Sequence, residues 1–467
     1  MKLIFRIFAL FVLTAIAGSV SAENPTASPS SPIDIDQALE IAFKNNPDLR
    51  IATDSVNKAK GVVEEAGARF NPSFSAQIVQ LQQGPAVSLP ANPLTGNQPI
   101  TIMPASQTTA KLQFALPLDV FGRLRYGSDI AKDQFSINYL SLLRSSQQLI
   151  AQVKRNYYEQ LRAGGQKDTA QAAVDVAAVR LKNTQARFEA GTVPKFDLTT
   201  AQVDLANLNQ NLLAAESRVN IARANLNRVL GLDADAPTEV VKSPVKVDID
   251  TVDVAEASKI AIEKRPEVKM QQTAIALNKT NIALQRTAAK PNLGLSGSYD
   301  YVSAQGFSTS NVSWNALANL NIPIWDGGVT KAKVDQAFAD MYSAEDTLAQ
   351  TELGITQEVA TTISVLEEAA KRTRTTAESV ALAEEALRLA NVRYEAGIAV
   401  LVEVTNAESQ LTQARFNEVN ALYDYAIALA DLQRATSSQP EIEKLRLVDY
   451  RPMLNLDAEK KSPEDRK

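Results

Sequence analysis

Two acids stand at matched places in this chain. Asp197 follows Arg187 in "RFEAGTVPKFDLTTA", and Glu403 follows Arg393 at the same spacing in "RYEAGIAVLVEVTNA". Carboxylates can act as general acids or bases, but little else here could complete a reactive centre. The chain has 0 Cys and 0 His, which excludes disulfides, thiol nucleophiles, Ser-His and Cys-His pairs, and the usual zinc sites. No Gly-rich phosphate loop follows a strand, and the acids are spread along solvated helices, so neither an enzyme nor a cofactor is expected. Lys+Arg 48 against Asp+Glu 53 gives a formal net charge of -5, which argues against a nucleic-acid partner because that needs a basic face.

The elements that position these acids are duplicated. The two quoted stretches share Arg187/Arg393, Glu189/Glu395, Ala190/Ala396, Gly191/Gly397, Thr199/Thr405 and Ala201/Ala407 at an offset of 206. "NNPDLR" from Asn45 and "KRPEVK" from Lys264 lie 219 apart, as do Pro72 and Pro291. From "LPLDVFG" (Leu116 to Gly122) and "IPIWDGG" (Ile322 to Gly328) onward the offset is 206. The difference is absorbed by a Pro/Gly-rich loop, "QQGPAVSLPANPLTGNQP", between Pro72 and Pro117. One structural unit is built twice.

No proline occurs between Pro117 and Pro194 or between Pro323 and Pro440. Proline costs ~3 kcal/mol inside a helix, so these intervals read as very long helices. Gly122 to Glu189 would run about 100 Å at 1.5 Å per residue, with Gly164-Gly165 as a point where it can bend or break. Beyond the first tip, Leu198, Leu205, Leu208, Leu212, Val219, Ala222, Leu226 and Val229 recur at helical spacing as a packing seam. Gly191 and Gly397 fit the left-handed residue that closes a helix, so each "EAG" marks the tip of a helical hairpin.

Four stretches alternate with period two. "VSWNALANLNI" puts Val312, Trp314, Ala316, Ala318, Leu320 and Ile322 on one side. "NLGLSGSYDYV" puts Leu293, Leu295, Gly297, Tyr299 and Tyr301 there, and "TAKLQFAL" does so with Ala110, Leu112, Phe114 and Leu116. "SFSAQIVQLQ" is weaker, its alternation slipping near Ile78-Val79. Strands of about 9–11 residues with one apolar and one polar side match a membrane β-barrel. Soluble hairpins on a core would read alike, but the flanking long helices offer no compact core. Four strands cannot close a barrel and lipid forbids open sheet edges, so several chains must share one barrel; three would supply twelve strands.

At the N-terminus, Lys2 and Arg6, the apolar run Ile7 to Val20 and the small residues Val20-Ser21-Ala22 read as an export signal that is cleaved. The expected organisation is a signal peptide 1–22 and a disordered lead-in 23–32, then a first repeat 33–231 with strands about 73–82 and 108–117 and a tip near 191–197. A linker 232–250 leads to a second repeat 251–437, with strands about 292–302 and 312–323 and a tip near 397–403. A charged, disordered tail 438–467 follows.

With both P-[DE]-[LV] starts, both strand pairs, "LDVFGR", "WDGGV" and both R-[FY]-E-A-G tips in duplicated order across residues 33–437, the chain resembles the TolC family of outer-membrane efflux proteins. The resemblance implies a mostly α fold with membrane β: a homotrimer whose chains each give four strands to a twelve-stranded outer-membrane barrel, and whose hairpins form a periplasmic α-barrel. It further implies a passive exit duct for efflux or type I secretion, docked to a periplasmic adaptor and an inner-membrane pump and opened by their engagement. A periplasmic coiled-coil adaptor or scaffold without a channel is the alternative.

In the family, the second tip carries an aromatic residue, an Arg just past the Gly, and two acids three apart. Tyr394 and Glu403 match the aromatic residue and the first acid, whereas Ala399 and Asn406 occupy the Arg and second-acid positions; Asp197 matches a family aspartate. Asp197, Tyr394, Glu403 and Asn406 are therefore the candidate gate. The acids also suit helix N-termini, where the dipole favours them by ~0.3–1 kcal/mol. Arg187, Gly191, Thr192, Arg393, Gly397 and Ile398 are candidate adaptor contacts. Tyr299, Tyr301 and Trp314 are candidates for the aromatic girdle against outer-membrane lipid, and Pro117, Gly122, Pro323, Gly327 and Gly328 for the strand-to-helix transitions.

Overall fold

A computed structural model describes residues 32–444 apart from 92, 94–98, 243, 248–251 and 304–309. The signal peptide 1–22, the lead-in up to residue 31, parts of the linker and the tail beyond Lys444 lie outside the described residues.

Each repeat begins with two short helices. In the first they are α1 (Ile35–Asn45) and α2 (Pro47–Ala68), in the second α5 (Val254–Lys264) and α6 (Pro266–Arg286). Long hairpins end both repeats: α3 (Arg123–Glu189) with α4 (Lys195–Leu230), and α7 (Val329–Glu395) with α8 (Leu401–Ala435). Both α3 and α7 have 67 residues. A last turn of helix, α9, spans Glu441–Lys444.

The duplication extends to the packing. Ala38, Ala42, Leu49, Leu149, Val153, Leu226 and Val229 are buried in one core, and Ala257, Ala261, Val268, Ile355, Val359, Leu432 and Ala435 in another. Each residue of the second core is its counterpart in the first displaced by 219 on the short helices or 206 on the long ones. The helix ends repeat as well, with Gly231 and Ser437 both at positive φ where α4 and α8 close. A Cβ on Gly231 would stand 2.6 Å from the Asn45 carbonyl oxygen, so the first copy needs glycine where the second accepts serine.

At the starts of α2 and α6 the copies diverge. Asn46 caps α2 through Oδ1, which accepts from the Asp48 and Leu49 amides, while its Nδ2 donates to the Val229 carbonyl at 2.8 Å. Its counterpart Arg265 makes no side-chain cap. Instead it pairs with Glu267 and Glu358, and Glu358 also holds Arg434. A buried amide in one copy is replaced by an ionic cluster in the other.

The expected break at Gly164-Gly165 is absent, because α3 is helical throughout. Glycine at 165 serves close approach: a Cβ there would meet Val419 Cγ1 of α8 at 2.9 Å, whereas one at Gly164 meets nothing within 4 Å. The eight expected seam residues of α4 are all buried or half-buried.

Between the helices lies a four-stranded antiparallel sheet in the order β1-β4-β5-β6, formed by β1 (Ser73–Gln82), β4 (Ser106–Leu118), β5 (Asn292–Val302) and β6 (Val312–Asn321). β4 is longer than the expected 108–117, and β6 ends before Ile322 and Pro323. The register runs without a slip through Ile78 and Val79, which sit opposite Ala110 and Thr109. Part of the expected Pro/Gly-rich loop folds instead as a small hairpin of β2 (Val87–Leu89) and β3 (Ile100–Met103). The start of the expected tail packs back on the helices. Gln439 is buried and donates to the Gln147 carbonyl, and Lys154 pairs with Glu441 at 2.7 Å.

Candidate functional site

The register aligns one apolar face across all four strands. Phe74 lies opposite Phe114, Ala76 opposite Leu112 and Ile78 opposite Ala110. Continuing across β4, β5 and β6, Leu112, Tyr299 and Trp314 form one row and Leu116, Leu295 and Ala318 another. Trp314 is 74% exposed, and Phe74 and Ile78 are each 70% exposed. The face extends from Leu118 and Leu293 to Ala110 and Tyr301, about 26 Å along a strand at roughly 3.3 Å per residue. It then turns polar at Gln80 and Thr108, which hydrogen-bond to each other. The opposite face carries Ser75, Gln77, Lys111, Gln113, Ser296, Ser298, Asp300, Ser313, Asn315, Asn319 and Asn321, with Val79, Leu81, Val302 and Leu317 interspersed. Among the described residues no strand pairs with the outer edge of β1 or of β6. Among the described residues no helix is long and apolar enough to cross a membrane.

Of the three expected girdle residues, Tyr299 and Trp314 are direct cross-strand neighbours, and Tyr301 faces Val312 one row further out. Two exposed aromatic residues that sequence reading did not single out, Trp325 (87% exposed) and Phe121, lie just beyond the other ends of β6 and β4. Their signal was a tryptophan or phenylalanine beside the turn glycines.

At the transitions, Pro117 sits within β4 and Pro323 just past β6. Gly122, Gly327 and Gly328 all have positive φ, and Gly122 and Gly328 are the left-handed N-caps of α3 and α7. Glycine leaves these caps without a side-chain acceptor, and a nearby aspartate supplies it. Asp119 accepts from the Leu124 and Arg125 amides, and Asp326 from the Gly328 and Thr330 amides. The Thr330 hydroxyl and amide hold the Asp326 carboxyl below its ordinary value.

Both hairpin tips close in the same way. Gly191 at φ 73 donates to the Phe188 carbonyl and Thr192 to the Arg187 carbonyl; Gly397 at φ 73 and Ile398 repeat this with Tyr394 and Arg393. That is the double bond of a left-handed helix terminus. Asp197 and Glu403 lie in the first turns of α4 and α8. Glu403 and Asn406 are both exposed, and Glu403 stands 3.5 Å from Arg393. The Arg187 guanidinium lies 5.5 Å from the centroid of the Tyr394 ring, joining the two tips. Asp197 and Asn406 are not drawn into these pairs. Phe196, Ile398 and Val400 are 68%, 73% and 64% exposed, an apolar surface at the tips of which sequence reading named only Ile398.

Above the tips an ionic ladder fastens the two hairpins. Arg155 of α3 pairs with Asp431 of α8, and Arg162 with Asp424, which Arg372 of α7 also holds. Nearest the tips, Arg180 lies between Asp204 of α4 and Glu408 of α8. Burial pulls the Arg180 guanidinium below its ordinary pKa, and Asp204 partly offsets this. None of these pairs was legible in advance, because each interhairpin rung joins residues more than 200 positions apart.

A sequence profile described as "Outer membrane efflux protein" matches residues 38–232 and 257–438. The chain is 25% identical over 410 residues to outer membrane protein OprJ of Pseudomonas aeruginosa, covering 85% of this chain and 82% of OprJ. It is 25% identical over 307 residues to outer membrane protein TolC of Vibrio cholerae, covering 64% of this chain and 69% of that one. Its fold is similar to the crystal structure of the Campylobacter jejuni CmeC outer membrane channel, with a TM-score of 0.75 at 17% identity, covering 88% of each chain.

Proposed function

The chain belongs to the outer membrane efflux protein family, and we propose that it is the passive exit duct of a tripartite efflux or type I secretion system, working as a homotrimer. The observation that carries this reading is the sheet: one face apolar with an exposed side chain in every row, the other mainly polar, and both edges open. Unpaired edge groups cost several kcal/mol each in lipid, so spanning strands must close into a ring. The strands alternate in direction, so β6 of one chain meets β1 of the next antiparallel, and three chains close twelve strands. The apolar face then meets lipid and the polar face lines water. Tyr299, Tyr301 and Trp314 form a girdle at the outer boundary, with Phe121 and Trp325 at the inner one.

The helices continue into the periplasm as a tube whose tips are the gate. Glu403 supplies one acidic ring, and with Ala399 and Asn406 in place of the family's Arg and second acid, the Arg187–Tyr394 contact takes over part of the closure. The exposed tip residues, including Thr192 and Ile398, receive a periplasmic adaptor, and an inner-membrane pump supplies the energy. A channel-free adaptor or scaffold would leave the apolar face of the sheet without an environment. Purified protein in planar bilayers is expected to give discrete ohmic conductances that Glu403→Gln alters in cation block. Release of folded protein from membranes by a salt wash would contradict the duct.

A further inference from the structure

The four strands of the main sheet contain two charged residues, Lys111 and Asp300. They are direct cross-strand partners on the polar face. Lys111 Nζ lies 3.9 Å from Asp300 Oδ1. The Ser298 hydroxyl donates to Asp300 Oδ2 at 2.5 Å, and Asn315 Nδ2 donates to the Ser298 oxygen at 2.9 Å. The row Gln77–Lys111–Asp300–Ser313 crosses the whole sheet. The pair is not needed to keep the apolar side chains on one face, which alternation already does, and a partly exposed cross-strand ion pair adds only about 0.2–1 kcal/mol. It stands eight residues along β5 from Asn292, toward the end of the barrel away from the helices.

We propose that in the assembled duct Lys111 and Asp300 of three chains form a charge-balanced belt lining the outer mouth, which lets small charged cargo of either sign leave without sorting. This rests on the trimeric barrel proposed above. Each ammonium is cancelled by the carboxylate beside it, so the belt adds no net field. Removing either half exposes three like charges inside one lumen, where the screening length is ~10 Å in 0.1 M salt and ~30 Å in 0.01 M.

Because the chain has 0 Cys, a reporter Ser296→Cys, on the polar face and helixward of the belt, can be reached from outside by thiol reagents. The probes are an anionic and a cationic methanethiosulfonate of similar size, applied to intact outer membranes. At low salt the anionic-to-cationic rate ratio is expected to be about tenfold higher with Asp300→Asn than with Lys111→Gln, and the difference to collapse in ~1 M salt. The unaltered belt and the doubly neutral variant should share an intermediate ratio. One ratio across all four forms, in protein that is trimeric by native mass and labels without detergent, overturns the belt and leaves the duct intact. A reporter that reacts only after solubilisation, while Leu112→Cys reacts before it, overturns the face assignment and the duct together.

Discussion

Arg187 and Tyr394, the residues on the helix ends of the two tips, face each other with the guanidinium 5.5 Å from the ring centroid. An exposed cation–π contact is worth ~0.5–1 kcal/mol, or about two- to fivefold in an equilibrium between joined and parted tips. Arg187→Gln is therefore expected to raise open probability in planar bilayers by about that factor. Tyr394→Phe, which keeps the ring, should change it less than Tyr394→Leu. Unchanged gating in both Arg187→Gln and Tyr394→Leu would confine the contact to a surface role.

Arg180 ties α3 to α4 and α8 with its side chain 10% exposed. Removing one partner of such a pair leaves the others uncompensated, at a cost of about 3–5 kcal/mol. Arg180→Met should speed amide hydrogen exchange across the first turns of α8. Adding Asp204→Asn and Glu408→Gln should restore much of the protection. Exchange that is insensitive to Arg180→Met would remove the clamp from the closed state.

Adjacent glycines in α3 should respond oppositely to alanine. Gly164→Ala gains about 0.5–1 kcal/mol of helix propensity with nothing to strike. Gly165→Ala drives a methyl against Val419, and overpacking of this kind costs about 1–3 kcal/mol. Val419→Ala should relieve it. Denaturant midpoints read both, and equal effects at the two sites would contradict the close approach of α3 and α8.

How much of this was legible follows from where the determining contact lies in the chain. Gly191 and Gly397 close their helices through bonds to residues within five positions, so local sequence revealed them. The sheet was legible because period-two alternation survives in each strand, and even the apparent slip at Ile78-Val79 leaves the register with β4 intact. Gly165 was read only as a weak point of the helix because Val419, which its missing Cβ lets approach, is 254 positions away. Separations of 228 and 207 positions hid Arg180–Glu408 and Arg187–Tyr394. Gln439 and Glu441 looked like the start of a charged tail because Gln147 and Lys154, the groups that hold them, lie in the other repeat.

Acid should loosen the second repeat at the Arg265 cluster. Burial raises the Glu267 and Glu358 carboxyls, but Arg265, and for Glu358 also Arg434, outweigh it and hold both below the ordinary value of 4.5. The unfolded chain then binds more protons than the folded one in the acid range, so stability rises with pH there. The contribution is complete above the ordinary carboxylate range and is lost as pH falls through the lowered folded values. Urea midpoints should be flat from about pH 7 to 5 and fall below about pH 4. Glu358→Gln should flatten that fall, and an unchanged acid slope in this variant would shift the acid sensitivity elsewhere.

The open edges of the sheet are joined most directly by disulfide trapping between β1 and β6. Closing a barrel staggers its strands, so each odd-numbered residue of β1 from Ser73 to Leu81 is combined, as a single cysteine, with each odd-numbered residue of β6 from Ser313 to Asn321, all on the lumen-side face, and oxidised in intact outer membranes. The expected product is a ladder of covalent dimer and trimer, absent when either cysteine is alone. A protein that stays monomeric under every pairing, while remaining folded and membrane-embedded, would contradict a barrel shared among three chains.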